Sequence, residues 1–142
     1  MKTIFLCASM SCYRELVQVE KDLIARGFVV NIPVSAKVMK EKNDFDVTHF
    51  KGVFAPEEKG KFIRTNFENI AKGDAILVVN GEKNGIAGYI GANVLMEIGL
   101  AFYLRKEIYL WNPVARMAPY KEELLAFAAQ EISQKLDKIK LD

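Results

Sequence analysis

The sequence predicts an α/β domain: one doubly wound, Rossmann-like or flavodoxin-like parallel sheet of four to five strands with helices on both faces. Three observations predict it. Continuous apolar runs of strand length recur along the chain, as strands covered on both faces require. Amphipathic segments with helical spacing alternate with those runs. The chain of 142 residues, 51% apolar and 27% charged, suits a single core, and no repeat or linker divides residues 1–142.

The first strand is "TIFLCA" (Thr3–Ala8). A helix follows from about Tyr13 to Arg26, with Leu16, Val19, Leu23 and Ile24 on one face. Gly27 stands where a helix C-cap belongs, before a second strand, "FVVNIPV". Residues Ser35–Pro56 are polar and carry no periodicity. A helix is expected from Pro56 or Glu57 to Lys72, since proline fits a first helical turn. "DAILVVN" (Asp74–Asn80) is the third strand, and "GEKNGIAGYIG" (Gly81–Gly91) is a glycine-rich loop. A helix from about Asn93 to Arg105, the strand "EIYLWNP" and a last helix from about Pro119 to Lys138 complete the alternation.

Composition excludes several classes of function. A net charge of +2, with Lys37/Lys40/Lys42 and Lys135/Lys138/Lys140 interspersed with acids, reads as a solvated surface and argues against a nucleic-acid groove. Two cysteines make no disulfide framework, and no Cys/His cluster has metal-ligand spacing. The apolar start is too short for a signal peptide, and no apolar run reaches the length of a membrane span. A reduced, cytoplasmic location without membrane association is the expectation.

In doubly wound sheets, ligands bind beyond the carboxyl ends of the strands where the strand order reverses. That rule should bring together the loop after strand one, the loop after strand three and the start of the helix carrying Glu97. Glu97 interrupts the apolar stretch "GANVLMEIGL" and shares a helical stripe with Asn93. Within the first turn or so of its helix, it would be favoured as an ionised carboxylate by the helix dipole. A partly buried ionised carboxylate at a pocket rim can be a nucleophile or general base. It can equally cap its own helix or pair with an arginine. Ser9, Met10, Ser11 and Arg14 lie near a helix start, where hydroxyls, backbone amides and a guanidinium can cradle a phosphate. Ser11 as a plain N-cap and Arg14 as a surface residue are the alternatives. Cys7, Tyr109 and Trp111 read as core residues, and the lone His49 as a surface or packing residue.

"IFLCASMSCYRE", "DAILVVN" and "NVLMEIGLAFYLRKEIYLWNP", in that order and spacing, resemble the nucleoside 2-deoxyribosyltransferase-like family. Within it, the resemblance is to the branch that hydrolyses the N-glycosidic bond of 2'-deoxynucleoside 5'-monophosphates. It covers roughly residues 3–113 and leaves Ser35–Pro56 unmatched. It implies that Glu97, in "EIGLA", attacks C1' of the sugar and forms a glycosyl-enzyme that water or a second base resolves. It further implies that Ser9, Ser11 and Arg14 meet a 5'-phosphate. The partner is then a small nucleoside or nucleotide, no metal or other cofactor is needed, and a homo-oligomer, dimer or larger, is expected. The sequence departs from the family pattern at three positions. Phe5 replaces a tyrosine of the first strand, and Asn66 replaces an aspartate near the sugar or base. Gly91 stands where an aspartate or serine is usual, with Asn93 a possible substitute. Asn66 can hydrogen-bond but cannot give a proton to the leaving base. These departures leave open a non-catalytic module that holds a nucleotide or phosphosugar on the same rim, and a structural protein with a vestigial site.

Overall fold

The computed structural model describes residues 1–141. β1 (Thr3–Cys7) lies inside a five-stranded, wholly parallel sheet. β2 (Val29–Asn31) flanks it on one side and β3 (Ala75–Val78) on the other, followed by β4 (Glu107–Leu110) and β5 (Gln130–Glu131). The unbroken apolar run of β1 has its physical reason here. Ile4 and Leu6 enter the core on one face of the sheet, while Phe5 and Cys7 enter the core on the other. Asp74, just before β3, accepts the Thr3 backbone N–H at 2.9 Å and so ties the amino ends of the two central strands.

α1 (Tyr13–Ala25) and α2 (Val34–Glu41) cover one face through Leu16, Val19, Leu23, Ala36 and Met39. α3 (Pro56–Lys72) and α4 (Ala92–Tyr103) cover the other through Ile70, Val94, Ile98 and Ala101. The first, third and fourth strands and the first three expected helices fall where the sequence puts them, to within a few residues. The second strand is shorter than expected, because Pro33 already leads into α2.

The carboxyl end of the chain differs from expectation. In place of one helix over Pro119–Lys138, α5 stops after Lys121–Ala126, β5 adds a fifth strand, and a 3-10 turn covers Leu136–Lys138. The apolar spacing of this segment imitates a helix, yet its side chains serve different cores. Leu124 packs on the α3/α4 face, whereas Ile132, Leu136 and Ile139 pack on the α1 face. The chain must therefore cross the sheet edge. It does so with Ala128, Ser133 and Gln134 at positive φ, which an α-helix cannot contain.

The carboxyl ends of β3 and β4 are locked by a pair of asparagines. Asn80 Nδ2 donates to the Asn112 carbonyl at 2.7 Å and Asn80 Oδ1 accepts the Asn112 N–H at 2.8 Å. Asn112 Nδ2 donates back to the Asn80 carbonyl at 3.0 Å. Asn80→Ala strands these buried partners and is expected to cost about 2–3 kcal/mol. A urea denaturation midpoint equal to that of the wild type would refute the clamp.

Candidate active site

β1 leads to α1 on one face of the sheet and β3 leads to α4 on the other, so their carboxyl ends diverge around a crevice. The crevice is a cavity of about 850 Å³. Its sheet side is formed by the Ser9–Ser11 loop, the Gly91–Asn93 entry to α4, and Glu97. Val47, Phe54, Phe62 and Ile63 add apolar lining, with Lys59 and Asn66 from the same helix as Phe62 and Ile63. Phe54 meets Phe62 edge-on at 5.1 Å and stacks on Phe50 at 6.5 Å. The crevice thus offers both hydrogen-bonding groups and an aromatic surface.

Glu97 is only 2% exposed, and its Oε2 is buried without a hydrogen-bond partner. The ionised state expected from the sequence is corrected here. Glu97 is the sixth residue of α4, beyond the first turn in which a helix dipole acts strongly. Burial dominates and pushes its carboxyl from an ordinary 4.5 up to about 8. Neither of the plainer sequence readings describes it: it makes no cap bond and no arginine pair.

Ser9 takes the N-cap position of a 3-10 turn over Met10–Cys12 but makes no side-chain cap bond. Ser11 likewise does not cap α1, whose N-cap position falls on Cys12. Gly91 faces Ser9, since a Cβ on Gly91 would lie 3.5 Å from Ser9 Oγ. The structure therefore gathers Ser9, Met10, Ser11, Asn66, Gly91, Asn93 and Glu97 around one cavity. Arg14 is placed apart from them. It is exposed, with its guanidinium 5.2 Å from the centroid of the Phe45 ring, and it does not line the cavity.

Several lining residues were not singled out from the sequence. Tyr13, 4% exposed, shares a hydrogen bond of 2.7 Å with Ser35 Oγ. Burial raises the Tyr13 phenol above its ordinary range, against the lowering effect of Ser35, so it stays protonated. Next to Ser35, the Val34 N–H donates to Asn66 Oδ1 at 3.2 Å. These two bonds link α1, α2 and α3 across the cavity. Lys59 and Lys83 supply cations at the rim, Lys83 with its ammonium 5.1 Å from the Tyr89 ring centroid. Cys7 is fully buried, with its thiol pushed up by burial and then by Glu97, which keeps it a neutral core residue. His49 lies at the surface, 2.8 Å from Asp44 and 3.4 Å from Asp46.

A switch-point crevice of ligand size, with one unpartnered buried carboxyl and both polar and aromatic lining, places this protein in the class of doubly wound α/β domains. The sequence matches no protein-family model and no curated protein. Among solved structures, the chain is similar to 2-deoxyribosyltransferase from the psychrotolerant bacterium Bacillus psychrosaccharolyticus. The two share 18% identity over 84% of this chain and 78% of that one, with a TM-score of 0.54. It is also similar to the CMP N-glycosidase of Clostridium botulinum, with 17% identity over 92% and 87% of the two chains and a TM-score of 0.53. At this level of identity the likeness establishes a shared fold.

Proposed function

We propose that the protein cleaves the N-glycosidic bond of a nucleoside, deoxynucleoside or nucleoside 5'-monophosphate. Glu97 is the nucleophile, and the sugar passes to water or to another base. The observation that carries this reading is the state of Glu97. Among the described residues it alone has a buried side-chain oxygen without a partner, and it faces a ligand-sized cavity. Such a group is costly to keep unless a ligand uses it. Attack of Glu97 on C1' expels the base, and hydrolysis of the resulting ester returns the carboxylate, as in retaining glycosidases. The sugar of a bound substrate carries positive charge in the transition state, which favours the ionised carboxylate that burial alone disfavours.

The other residues take supporting roles in this reading. Gly91 and Asn93 border the sugar, and Gly91 leaves room beside Ser9. The base lies toward Phe54 and Phe62. The Ser9–Met10–Ser11 loop meets a 5'-phosphate, with a cation from the rim. The sequence nominated Arg14 for that cation, whereas the cavity has Lys83 on its wall. Lys83→Ala is therefore expected to raise KM for monophosphates several-fold and leave nucleosides little changed. Arg14→Ala should do this only if its guanidinium leaves the Phe45 ring, and steady-state KM values for both substrate forms decide between the two. A dimer or larger homo-oligomer fits the outer face of α4, where Met96 is 53% and Tyr103 80% exposed; sedimentation reads this directly.

The decisive experiment is incubation of wild type and Glu97→Ala with deoxynucleosides and their 5'-monophosphates, following free base by chromatography. Release by wild type alone supports the proposal. The elevated carboxyl of Glu97 favours a second reading, a module that binds a nucleotide or phosphosugar without cleaving it. Tight binding with no base release would establish that reading instead.

A further inference from the structure

We propose that Asn66 serves the departing base as a fixed hydrogen-bond donor only, so that this site takes nucleosides whose base leaves as a stabilised anion. The inference rests on the N-glycosidase reading above and narrows its substrates. It begins with the orientation of one amide. The Val34 backbone N–H can only donate, and it meets the Asn66 side chain at 3.2 Å, so the atom there must be the carbonyl Oδ1. Val34 is the first residue of α2, and Pro33 before it offers no side-chain cap. Asn66 thus satisfies a donor that the helix end would otherwise orphan, and turning the amide over would set donor against donor.

With Oδ1 engaged, Nδ2 is what Asn66 has left to offer. The residue is 5% exposed and lines the cavity, and Nδ2 has no protein partner among the described residues. It is not sealed from solvent either, so it opens on the cavity. An amide N–H can stabilise charge on a ring carbonyl but cannot protonate a ring nitrogen. The other titratable groups around the crevice do not fill that gap. Glu97 from α4 is spent as the nucleophile, and the Tyr13 phenol from α1 is bonded to Ser35. Lys59 from α3 and Glu82 from the β3–α4 loop are exposed at the rim, and Lys83 and Tyr89 face each other there. Among the described residues, no buried carboxylic acid besides Glu97 lines the crevice.

The step then balances without an acid. Glu97 gives its proton to solvent as substrate binds, a carboxylate oxygen then bonds to C1' as the C1'–N bond breaks, and the electron pair stays on the base. The charge delocalises to a ring carbonyl that accepts the Asn66 N–H. The free base takes a proton from water, and the water that later opens the glycosyl ester releases one in return. Bases with acidic ring N–H groups and a carbonyl beside the glycosidic nitrogen meet this requirement best.

The test is a series of 2'-deoxynucleosides of 5-fluorouracil, uracil and cytosine, in falling order of leaving-group acidity. In the wild type, kcat/KM is expected to fall roughly tenfold or more at each step, because general acid catalysis, typically worth about 10²–10⁴-fold, is missing. Asn66→Asp keeps an acceptor for Val34 and adds a titratable proton, so it should raise cytosine cleavage relative to 5-fluorouracil and flatten the series. A second readout needs no turnover. At one mildly alkaline pH, free 5-fluorouracil should bind wild type more tightly than uracil does, and Asn66→Asp should remove that order. A flat series with active wild type overturns the inference while leaving the N-glycosidase reading intact. No base release together with the predicted binding order overturns that reading and upholds the donor assignment.

Discussion

Glu97→Gln is expected to lower kcat/KM for base release by roughly a thousandfold or more. Glutamine keeps the shape of the side chain and removes the proposed nucleophile, and at a position 2% exposed it disturbs packing little. The loss should therefore fall on kcat, with the affinity for substrate nearly kept. Wild type quenched during turnover should carry the mass of a sugar on the peptide containing Glu97, and the variant should not. Full activity in Glu97→Gln would remove Glu97 from the chemistry and leave the crevice without a buried carboxyl among the described residues, since the other buried one, Glu20 of α1, is paired 2.8 Å from Lys40 of α2.

The same substitution should change how stability depends on pH. The Glu97 carboxyl is raised from 4.5 in an exposed chain to about 8 in the folded protein. The folded state therefore holds a proton that the unfolded chain has lost, and stability falls as pH rises through that window. Below about 4.5 both states are protonated and the penalty is absent; above about 8 it is complete, on the order of 5 kcal/mol. Glutamine has no proton to lose. Glu97→Gln should thus match wild type near pH 4 and exceed it in thermal stability at pH 9, by a margin that grows across the interval. His49, raised by Asp44 first and then by Asp46, also contributes stability that is lost with rising pH, but equally in both proteins. A difference between wild type and variant that stays constant from pH 4 to 9 would show that Glu97 ionises freely in the fold.

The two experiments read one fact from opposite sides. A carboxyl that weakens the folded protein at alkaline pH is the carboxyl whose ionisation a substrate must promote. If bound substrate restores part of the lost stability at high pH, the charge on Glu97 has found its partner in the sugar.

The order of strands and helices was legible because each central strand is buried on both faces and each helix on one. Burial writes period-two and period-3.6 patterns directly into the residues, as in Thr3–Cys7 and Tyr13–Ala25. The position of Glu97 was legible for a related reason: a lone charge in an apolar run stands out. The terminal segment imitates a helix because Leu125, Ala129, Ile132 and Leu136 recur at helical spacing, yet Ala129 packs on one core and Ile132 and Leu136 on the other, and spacing alone does not say which core. Residues Ser35–Pro56 carried no period because α2 buries only Ala36 and Met39, and the rest of the segment sends Phe50 into the core and Val47 and Phe54 to the cavity wall.

By itself, then, the sequence determined the α/β alternation, the crevice at the strand-order reversal and the residues lining its sheet side, all of which follow from local pattern and chain order. Tertiary structure alone decided the ionisation of Glu97, the orientation of the Asn66 amide, the Tyr13–Ser35 pair and the separation of Arg14 from the cavity. Each of these depends on which groups from distant parts of the chain meet, and on how much water their meeting leaves behind.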